Sequence, residues 1–192
     1  MRRLLLASSS PYRRELLSRL QLEFDCKAPD IDETARAGEQ PEQLVRRLAL
    51  EKAQALAPTH QQHLIIGSDQ VAVLGGRILG KPYTFSRAKQ QLKDCSGRSV
   101  SFLTGLTLLD SQTGTTQSDC VTFTVHFRPL SDQQIERYLQ AEQPYDCAGS
   151  FKAEGLGVSL FVSTEGPDAT SLIGLPLIRL VDMLNNAGIE VP

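Results

Sequence analysis

The sequence lacks several features that would indicate a zinc-binding, redox or membrane protein. Among its 192 residues there is no tryptophan, and the four cysteines are scattered without a C-x-x-C pair. His60 and His63 lie close in sequence but have no third candidate zinc ligand beside them. The apolar run at 4–7 is too short for a signal-peptide core, and no run reaches the roughly 18 residues of a membrane-spanning helix. We therefore expect a cytoplasmic protein with no membrane partner, whose cysteines are buried and reduced.

A basic excess is also absent, since 20 Lys and Arg stand against 22 Asp and Glu for a net charge of -2. Proteins that follow a nucleic-acid backbone usually carry excess positive charge, so a nucleic-acid partner is not expected. Any polyanionic ligand must be held by a local cluster of cations. The chain has no repeat or linker, and its length suits one domain or two small lobes that share a cleft.

Apolar patterning predicts alternating strands and helices followed by a long hairpin, which indicates an α/β protein with a mixed sheet. Ser10-Pro11, the Ser131/Gln134 pair and Gly188 supply helix start and stop signals. The predicted strands are 4–7, 22–28, 64–74, 77–79, 99–109, 115–127 and 156–162, and the predicted helices begin at or near residues 11, 41, 85, 131 and 177.

The first candidate for chemistry is the segment Ser8-Ser9-Ser10-Pro11-Tyr12-Arg13-Arg14. It joins a strand to a helix, and helix N-termini attract anions because their first N–H groups are unpaired. Cations in the first turn oppose the helix dipole, so a bound phosphate would explain Arg13 and Arg14. An ordinary capped helix whose arginines pair with nearby acids is the alternative.

Two charged residues interrupt apolar segments. Lys52 falls within the apolar stripe of the second helix. We expect this stripe to consist of Leu44, Val45, Leu48, Ala55 and Leu56. Either its ammonium extends past the core to solvent or it meets a buried anion.

Asp69 interrupts an apolar strand, so its carboxylate should be paired with a cation, hydrogen-bonded or placed beside a cleft as a general base or metal ligand. A turn-forming aspartate is the alternative.

Two loops also carry charge. Lys81 stands between Gly80 and Pro82, which suits either the presentation of a charge to a ligand or an ordinary surface turn. Asp30, Asp32 and Glu33 form an acidic loop whose oxygens suit Mg²⁺ or Mn²⁺, or are simply solvated.

Taken in order, these pieces resemble the Maf family of nucleoside triphosphate pyrophosphatases over nearly the whole chain. Each motif alone is weak, but the ordered set is highly specific. Beside the Ser8–Arg14 segment, the matching motifs are Asp32-Glu33, Glu51-Lys52-Ala53, Ser68-Asp69-Gln70, Gly80-Lys81-Pro82, the run from Cys147 to Gly155, and Gly174-Leu175-Pro176. Ser68-Asp69-Gln70 and Phe151-Lys152-Ala153-Glu154-Gly155 resemble the branch that prefers 7-methyl-GTP, although Tyr12 stands where that branch has Trp.

The resemblance implies a single domain over 1–192, with a strongly twisted mixed sheet and two lobes around a cleft, as in inosine triphosphatases. It implies hydrolysis of a nucleoside triphosphate, 7-methyl-GTP in particular, to the monophosphate and pyrophosphate, by a homodimer that uses Mg²⁺ or Mn²⁺. Asp69 would be the catalytic base, with Glu33 and Asp69 as metal ligands. The expected substrate-binding residues are Ser8, Tyr12, Arg13, Arg14, Lys52, Gln70, Lys81, Lys152 and Glu154.

For the base, Tyr12 would stack on the positively charged methylated purine. Glu154 would accept the N–H groups of the guanine edge, unless it forms a salt bridge with Lys152 or Arg13, and Gln70 would add an amide contact. The competing hypotheses are a nucleotide-binding regulator of cell division without chemistry, a pyrophosphatase that acts on dTTP or UTP, and a phosphatase that removes only the terminal phosphate.

Overall fold

The structure is a computed structural model that describes residues 2–191. Strands and helices alternate in the first half of the chain, and two of its three 12-residue strands follow one another in the second half. The strands are β1 (Arg3–Leu6), β2 (Phe24–Cys26), β3 (His63–Leu74), β4 (Arg77–Leu79), β5 (Ser99–Asp110), β6 (Thr116–Phe127) and β7 (Phe161–Glu165). The helices are α1 (Pro11–Ser18), α2 (Pro41–Leu56), α3 (Phe85–Cys95), α4 (Asp132–Glu142), α5 (Ala169–Ile173) and α6 (Leu177–Asn186).

The helix starts follow from their caps. The hydroxyl of Ser10 accepts a hydrogen bond from the backbone N–H of Arg13 at the start of α1. Ser131 and Gln134 exchange side-chain and backbone hydrogen bonds at the start of α4, as their spacing predicts. Gly188 has a φ of 82° just beyond α6, which is the left-handed conformation expected of a C-terminal cap.

The strands form a mixed sheet in the order β2-β1-β3-β5-β6-β7, with β4 paired to β3. β1 runs parallel to β2 and to β3, whereas β3 with β4 and β6 with β7 are antiparallel. The predicted mixed α/β architecture with helices beside the sheet is therefore confirmed. The single domain over 1–192 stays a prediction.

Within the described residues the chain divides into two compact units. The first comprises residues up to 70, 104–121 and those from 168 onward, and it contains α1, α2, α5 and α6. Its core joins Leu6 and Ile66 of the parallel strands to Leu17 of α1 and Leu180 of α6. The second unit comprises 71–103 and 122–167, with α3 and α4. Edge-to-face contacts among Phe102, Phe127, Phe151 and Phe161 form part of its core.

Three local predictions are wrong. The apolar run at 156–162 begins as a 3₁₀ helix, Leu156–Leu160, and only Phe161 onward is a strand. Ala55 is exposed on α2, and the small residues that pack inward there are Ala49 and Ala53. Cys26 is exposed, although Cys95 is buried as expected. No helix in residues 2–191 is long and apolar enough to cross a membrane.

Candidate active site

An ion-pair cluster in the first unit brings together three of the predicted site residues. The ammonium of Lys52 on α2 lies 2.7 Å from Oδ1 of Asp69 on β3 and 3.0 Å from Oε1 of Glu33 in the loop before α2. The side chains of Lys52 and Asp69 are 7% and 11% exposed, whereas that of Glu33 is 58% exposed. Two buried opposite charges thus satisfy one another, and the cluster opens to solvent on the side of Glu33.

Close packing of α2 against the sheet places Lys52 opposite Asp69. Gly67 of β3 has no side chain, and a Cβ there would overlap the carbonyl oxygen of Ala49. Gly105 of β5 meets the carbonyl oxygen of Val45 in the same way. The helix therefore lies directly on the strand backbones, and a lysine on its inner face reaches a carboxylate on the strand.

Arg13 lies within electrostatic reach of this cluster. It is half-buried, and burial lowers the pKa of its guanidinium, while the nearby carboxylates of Asp69 and Glu33 raise it. Its Nε donates a hydrogen bond of 2.8 Å to the carbonyl oxygen of Gly174, which also accepts one of 3.1 Å from the hydroxyl of Ser68. One edge of the guanidinium is fixed in this way, while its two terminal nitrogens have no hydrogen bond or ion pair within residues 2–191 and can bind an anion.

The rest of the first motif surrounds the start of α1. Ser8 is buried, and its hydroxyl oxygen accepts a 3.1 Å hydrogen bond from the backbone N–H of Ser10, so the hydroxyl hydrogen remains available to an acceptor. Tyr12 is half-buried and Arg14 is exposed. The guanidinium of Arg14 lies close enough to Cys26 to oppose the burial that raises the pKa of that thiol.

Gln70 points away from this ion-pair cluster, as alternation along a regular strand requires. Its Nε2 donates to the carbonyl oxygens of Ser171 at 2.6 Å and Leu172 at 3.3 Å, and to Oγ1 of Thr104 at 3.0 Å. The amide nitrogen therefore holds α5 against the sheet, whereas Oε1 accepts no hydrogen bond that the structure describes.

The remaining sequence-predicted residues belong to the second unit. Lys81 and Glu154 are exposed and Lys152 is half-buried. None of the three forms an ion pair within the described part of the chain, so the alternative in which Glu154 pairs with Lys152 is not observed.

A comparison with protein-family models matches residues 3–187 to the Maf-like protein family. The chain belongs to this family. Over 189 residues, or 98% of each chain, this Maf-like chain is 72% identical to proteins named 7-methyl-GTP pyrophosphatase from Pseudomonas fluorescens and from Pseudomonas savastanoi pv. phaseolicola. Among solved structures, a HAM1 protein from Coxiella burnetii is 18% identical with a TM-score of 0.47, over 80% of this chain and 89% of that one.

The carboxylates of this cluster are oxygen donors of the kind that suits a divalent cation. Glu33 and Asp69 already point carboxylate oxygens at one cation, the ammonium of Lys52. Residues 2–191 contain no group of three His, Cys, Asp or Glu arranged to hold a metal ion by themselves. Mg²⁺ is commonly held by one or two carboxylates together with substrate phosphates and water, so two protein ligands are sufficient.

Sequence reasoning missed Asp168, which is 4% exposed and organises the segment that holds Arg13. Its Oδ1 accepts from the backbone N–H and the hydroxyl of Thr170, and its Oδ2 accepts from the backbone N–H of Ile178 at the start of α6. One carboxylate thus caps two successive helices. An aspartate before Ala169-Thr170-Ser171 is an N-cap signal, but α5 has only five residues and no apolar periodicity to accompany it.

Proposed function

We propose that this Maf-like chain hydrolyses 7-methyl-GTP to 7-methyl-GMP and pyrophosphate, and so removes a modified nucleotide. The observation that carries the proposal is the Lys52–Asp69–Glu33 cluster beside Arg13, which places a carboxylate among cations. The names of relatives that share 72% of its residues support the same substrate and reaction.

In the reaction, the oxygen of a water molecule attacks the α-phosphorus. The bond from that phosphorus to the oxygen bridging the α- and β-phosphates breaks, and pyrophosphate leaves with the bonding electrons. Asp69 takes the proton of the attacking water on its second oxygen, Oδ2, because Lys52 holds Oδ1. Such general base catalysis contributes roughly 10²- to 10⁴-fold in rate.

The cationic side chains offset the negative charge of the triphosphate. The terminal nitrogens of Arg13 bind phosphate oxygens, and Arg14 together with the hydroxyl of Ser8 adds donors at the start of α1. Glu33 would hold Mg²⁺ or Mn²⁺ together with the oxygen of Asp69 that does not take the proton, and the metal ion would neutralise charge on the phosphates when bound. Lys81 and Lys152 are proposed as further phosphate contacts on the strength of their motifs.

Recognition of the base is proposed to depend on the positive charge that N7 methylation gives to guanine. Tyr12 would offer its ring face to the purine, and the carboxylate of Glu154 would accept the two N–H groups of the guanine edge. Gln70 has only Oε1 left for a contact with the base, because its Nε2 is bound to α5.

We also propose that the enzyme is a cytoplasmic homodimer. Leu50 is half-buried and lies off the inner face of α2, so it is a candidate for the subunit contact. Light scattering during gel filtration would give the mass of the species in solution, and Leu50→Glu should shift it toward a monomer.

The function is tested by incubating the protein with 7-methyl-GTP, GTP, dTTP and UTP, with Mg²⁺ or with a chelator, and identifying the products. Pyrophosphate and 7-methyl-GMP, formed fastest from 7-methyl-GTP, are the expected result. Orthophosphate would indicate a terminal phosphatase, and faster hydrolysis of dTTP and UTP would indicate the other substrate class. Nucleotide binding without any product would identify a regulator instead of an enzyme.

A further inference from the structure

The loop at 27–40 carries Glu33 to Lys52, yet the side chain of Glu33 itself is largely exposed. Its described contact is the ion pair with Lys52, which a mobile loop would not maintain. Something else must therefore fix the loop backbone against α2. The residue that does so lies one and a half turns before Lys52 on the same helix.

Arg47 binds the loop at two points with a single guanidinium. Its Nε and Nη2 donate to the two carboxylate oxygens of Glu39 at 2.6 and 2.8 Å, and Nη2 also donates to the carbonyl oxygen of Thr34 at 3.1 Å. Thr34 directly follows Glu33. The side chains of Arg47 and Glu39 are 13% and 8% exposed, so this forked pair is shielded from water.

A second arginine, Arg36, lies in the loop and contacts both Glu51 of α2 and Glu39. Nη1 of Arg47 lies 2.9 Å from Oε2 of Glu51, whose other oxygen accepts from Nη2 of Arg36 at 3.0 Å. The backbone N–H of Arg36 donates in turn to Oε2 of Glu39. Two positions of α2, Arg47 and Glu51, are thus joined in one network to three loop residues that follow Glu33, which are Thr34, Arg36 and Glu39.

We propose that Arg47 is a positioning residue for the reaction. By clamping Thr34 and Glu39 to α2, it holds the carboxylate of Glu33 toward Lys52 and Asp69. The planar guanidinium of Arg47 has five donors and binds four acceptors at once, whereas a lysine ammonium has three donors on a single atom. The inference rests on the proposed function only in assigning Glu33 a part in catalysis.

The chain offers a matched control in the neighbouring residue. Arg46 also lies on α2 and also has two acidic partners, Glu42 at 3.0 Å and Asp119 at 3.4 Å, but it makes no described contact with the loop. Loss of either arginine removes ion pairs from the same helix. A difference between the two variants therefore reports on the loop and not on helix stability.

The first measurement is hydrogen–deuterium exchange of the backbone amides at 30–38, which needs no substrate. Arg47→Ala and Arg47→Lys should both speed exchange in this loop by about tenfold or more, whereas Arg46→Ala should leave it as in the wild type. Glu39→Ala removes the same clamp from the loop side and serves if Arg47→Ala fails to fold. Unchanged exchange in the folded Arg47 or Glu39 variants would overturn the proposal.

The second measurement is the hydrolysis of 7-methyl-GTP. Arg47→Ala should lower kcat/KM by about 10- to 100-fold, as expected of a residue that orients a ligand-bearing group, and Arg46→Ala by less than about twofold. In a Glu33→Gln background, Arg47→Ala should cause almost no further loss, because the carboxylate it positions is already gone. If Arg47→Ala lowered kcat/KM by the same factor in the Glu33→Gln background as in the wild type, the proposal would be overturned. If the wild type released no pyrophosphate, the proposed function would fail while the exchange measurement would still test the clamp.

Discussion

The ammonium of Lys52 and the carboxylate of Asp69 face one another at 2.7 Å between α2 and β3, and both side chains are nearly excluded from solvent. Two predictions follow from this pair, one for turnover and one for stability.

Asp69→Asn should abolish measurable pyrophosphate release while it leaves nucleotide binding within a few-fold of the wild type. The amide keeps the size of the side chain and can still accept from Lys52, but it cannot take a proton from water. The rate of hydrolysis should fall by about 10²- to 10⁴-fold, which is the usual contribution of a general base. Product assays give the rate, and calorimetric titration with 7-methyl-GTP gives the affinity. A fully active variant would exclude Asp69 as the base.

Lys52→Met should lower the free energy of unfolding by about 3 kcal/mol, because it leaves the Asp69 carboxylate buried without its cation. Adding Asp69→Leu should restore most of this stability, since a paired apolar replacement leaves no uncompensated charge. The double variant should nevertheless be inactive. Urea unfolding measures the stabilities, and failure of Asp69→Leu to recover stability in the Lys52→Met background would contradict a direct coupling between the two side chains.

The pair of Glu39 and Arg47 predicts a pH dependence of stability. Hydrogen bonds from Arg47 and from the backbone of Arg36 lower the pKa of Glu39 to about 2, from an ordinary value of 4.5. A carboxyl whose pKa is lowered by folding stabilises the protein above its unfolded-state pKa, and this contribution is lost as pH falls toward the folded-state value. The difference in unfolding free energy between the wild type and Glu39→Gln should therefore be largest at neutral pH and shrink between about pH 4.5 and 2. A difference that stays constant across this window would contradict the assignment.

Thiol labelling of the folded protein should modify Cys26 first. Burial raises the pKa of all four thiols, to about 12 for Cys95 and Cys147 and about 11 for Cys120, but only Cys26 is exposed. Mass spectrometry after brief treatment with a maleimide at pH 7 should find one modified site, and Cys26→Ser should remove it. Equal labelling of two or more cysteines would show that the folded state exposes another thiol.

Asp168→Ala should destabilise the protein by about 2–4 kcal/mol, because one buried carboxylate caps both α5 and α6. Thr164→Ala on β7 is a suitable control, since that side chain is exposed. Arg13 binds the carbonyl oxygen of Gly174 at the end of α5, so the variant should also raise KM for the nucleotide. A change of less than about 0.5 kcal/mol would contradict the double-cap role.

Local patterns predicted the elements that carry the site but not their pairings. Lys52 could be identified because it interrupts an apolar stripe of period 3.6, and Asp69 because it interrupts an apolar strand. Neither pattern specified that the two side chains meet, since that depends on how closely a helix packs on a strand. The clamp of Arg47 on Glu39 was missed for a related reason, because charged residues in a polar loop and on a helix surface resemble ordinary solvated charges.

The errors have a similar physical origin. The apolar run at 156–162 satisfies a strand pattern, yet the first five residues turn into a 3₁₀ helix whose Gly157 packs tightly against the backbone of Lys152. Such a close approach depends on tertiary packing, which overrides strand propensity. Ala55 looked like a core residue on a helical wheel, but alanine is small enough to be tolerated on either face.

The direct contact of α2 with the strand backbones has a consequence for how this protein can change. Because Gly67 and Gly105 leave two main chains touching, no side chain acts as a spacer whose size could be varied to move the helix outward in small steps. Any larger residue at either glycine would overlap a carbonyl oxygen of α2 and would push the helix that carries Lys52 away from the strand that carries Asp69. The distance from helix to strand, and with it the contact between Lys52 and Asp69, therefore depends on glycine at both positions.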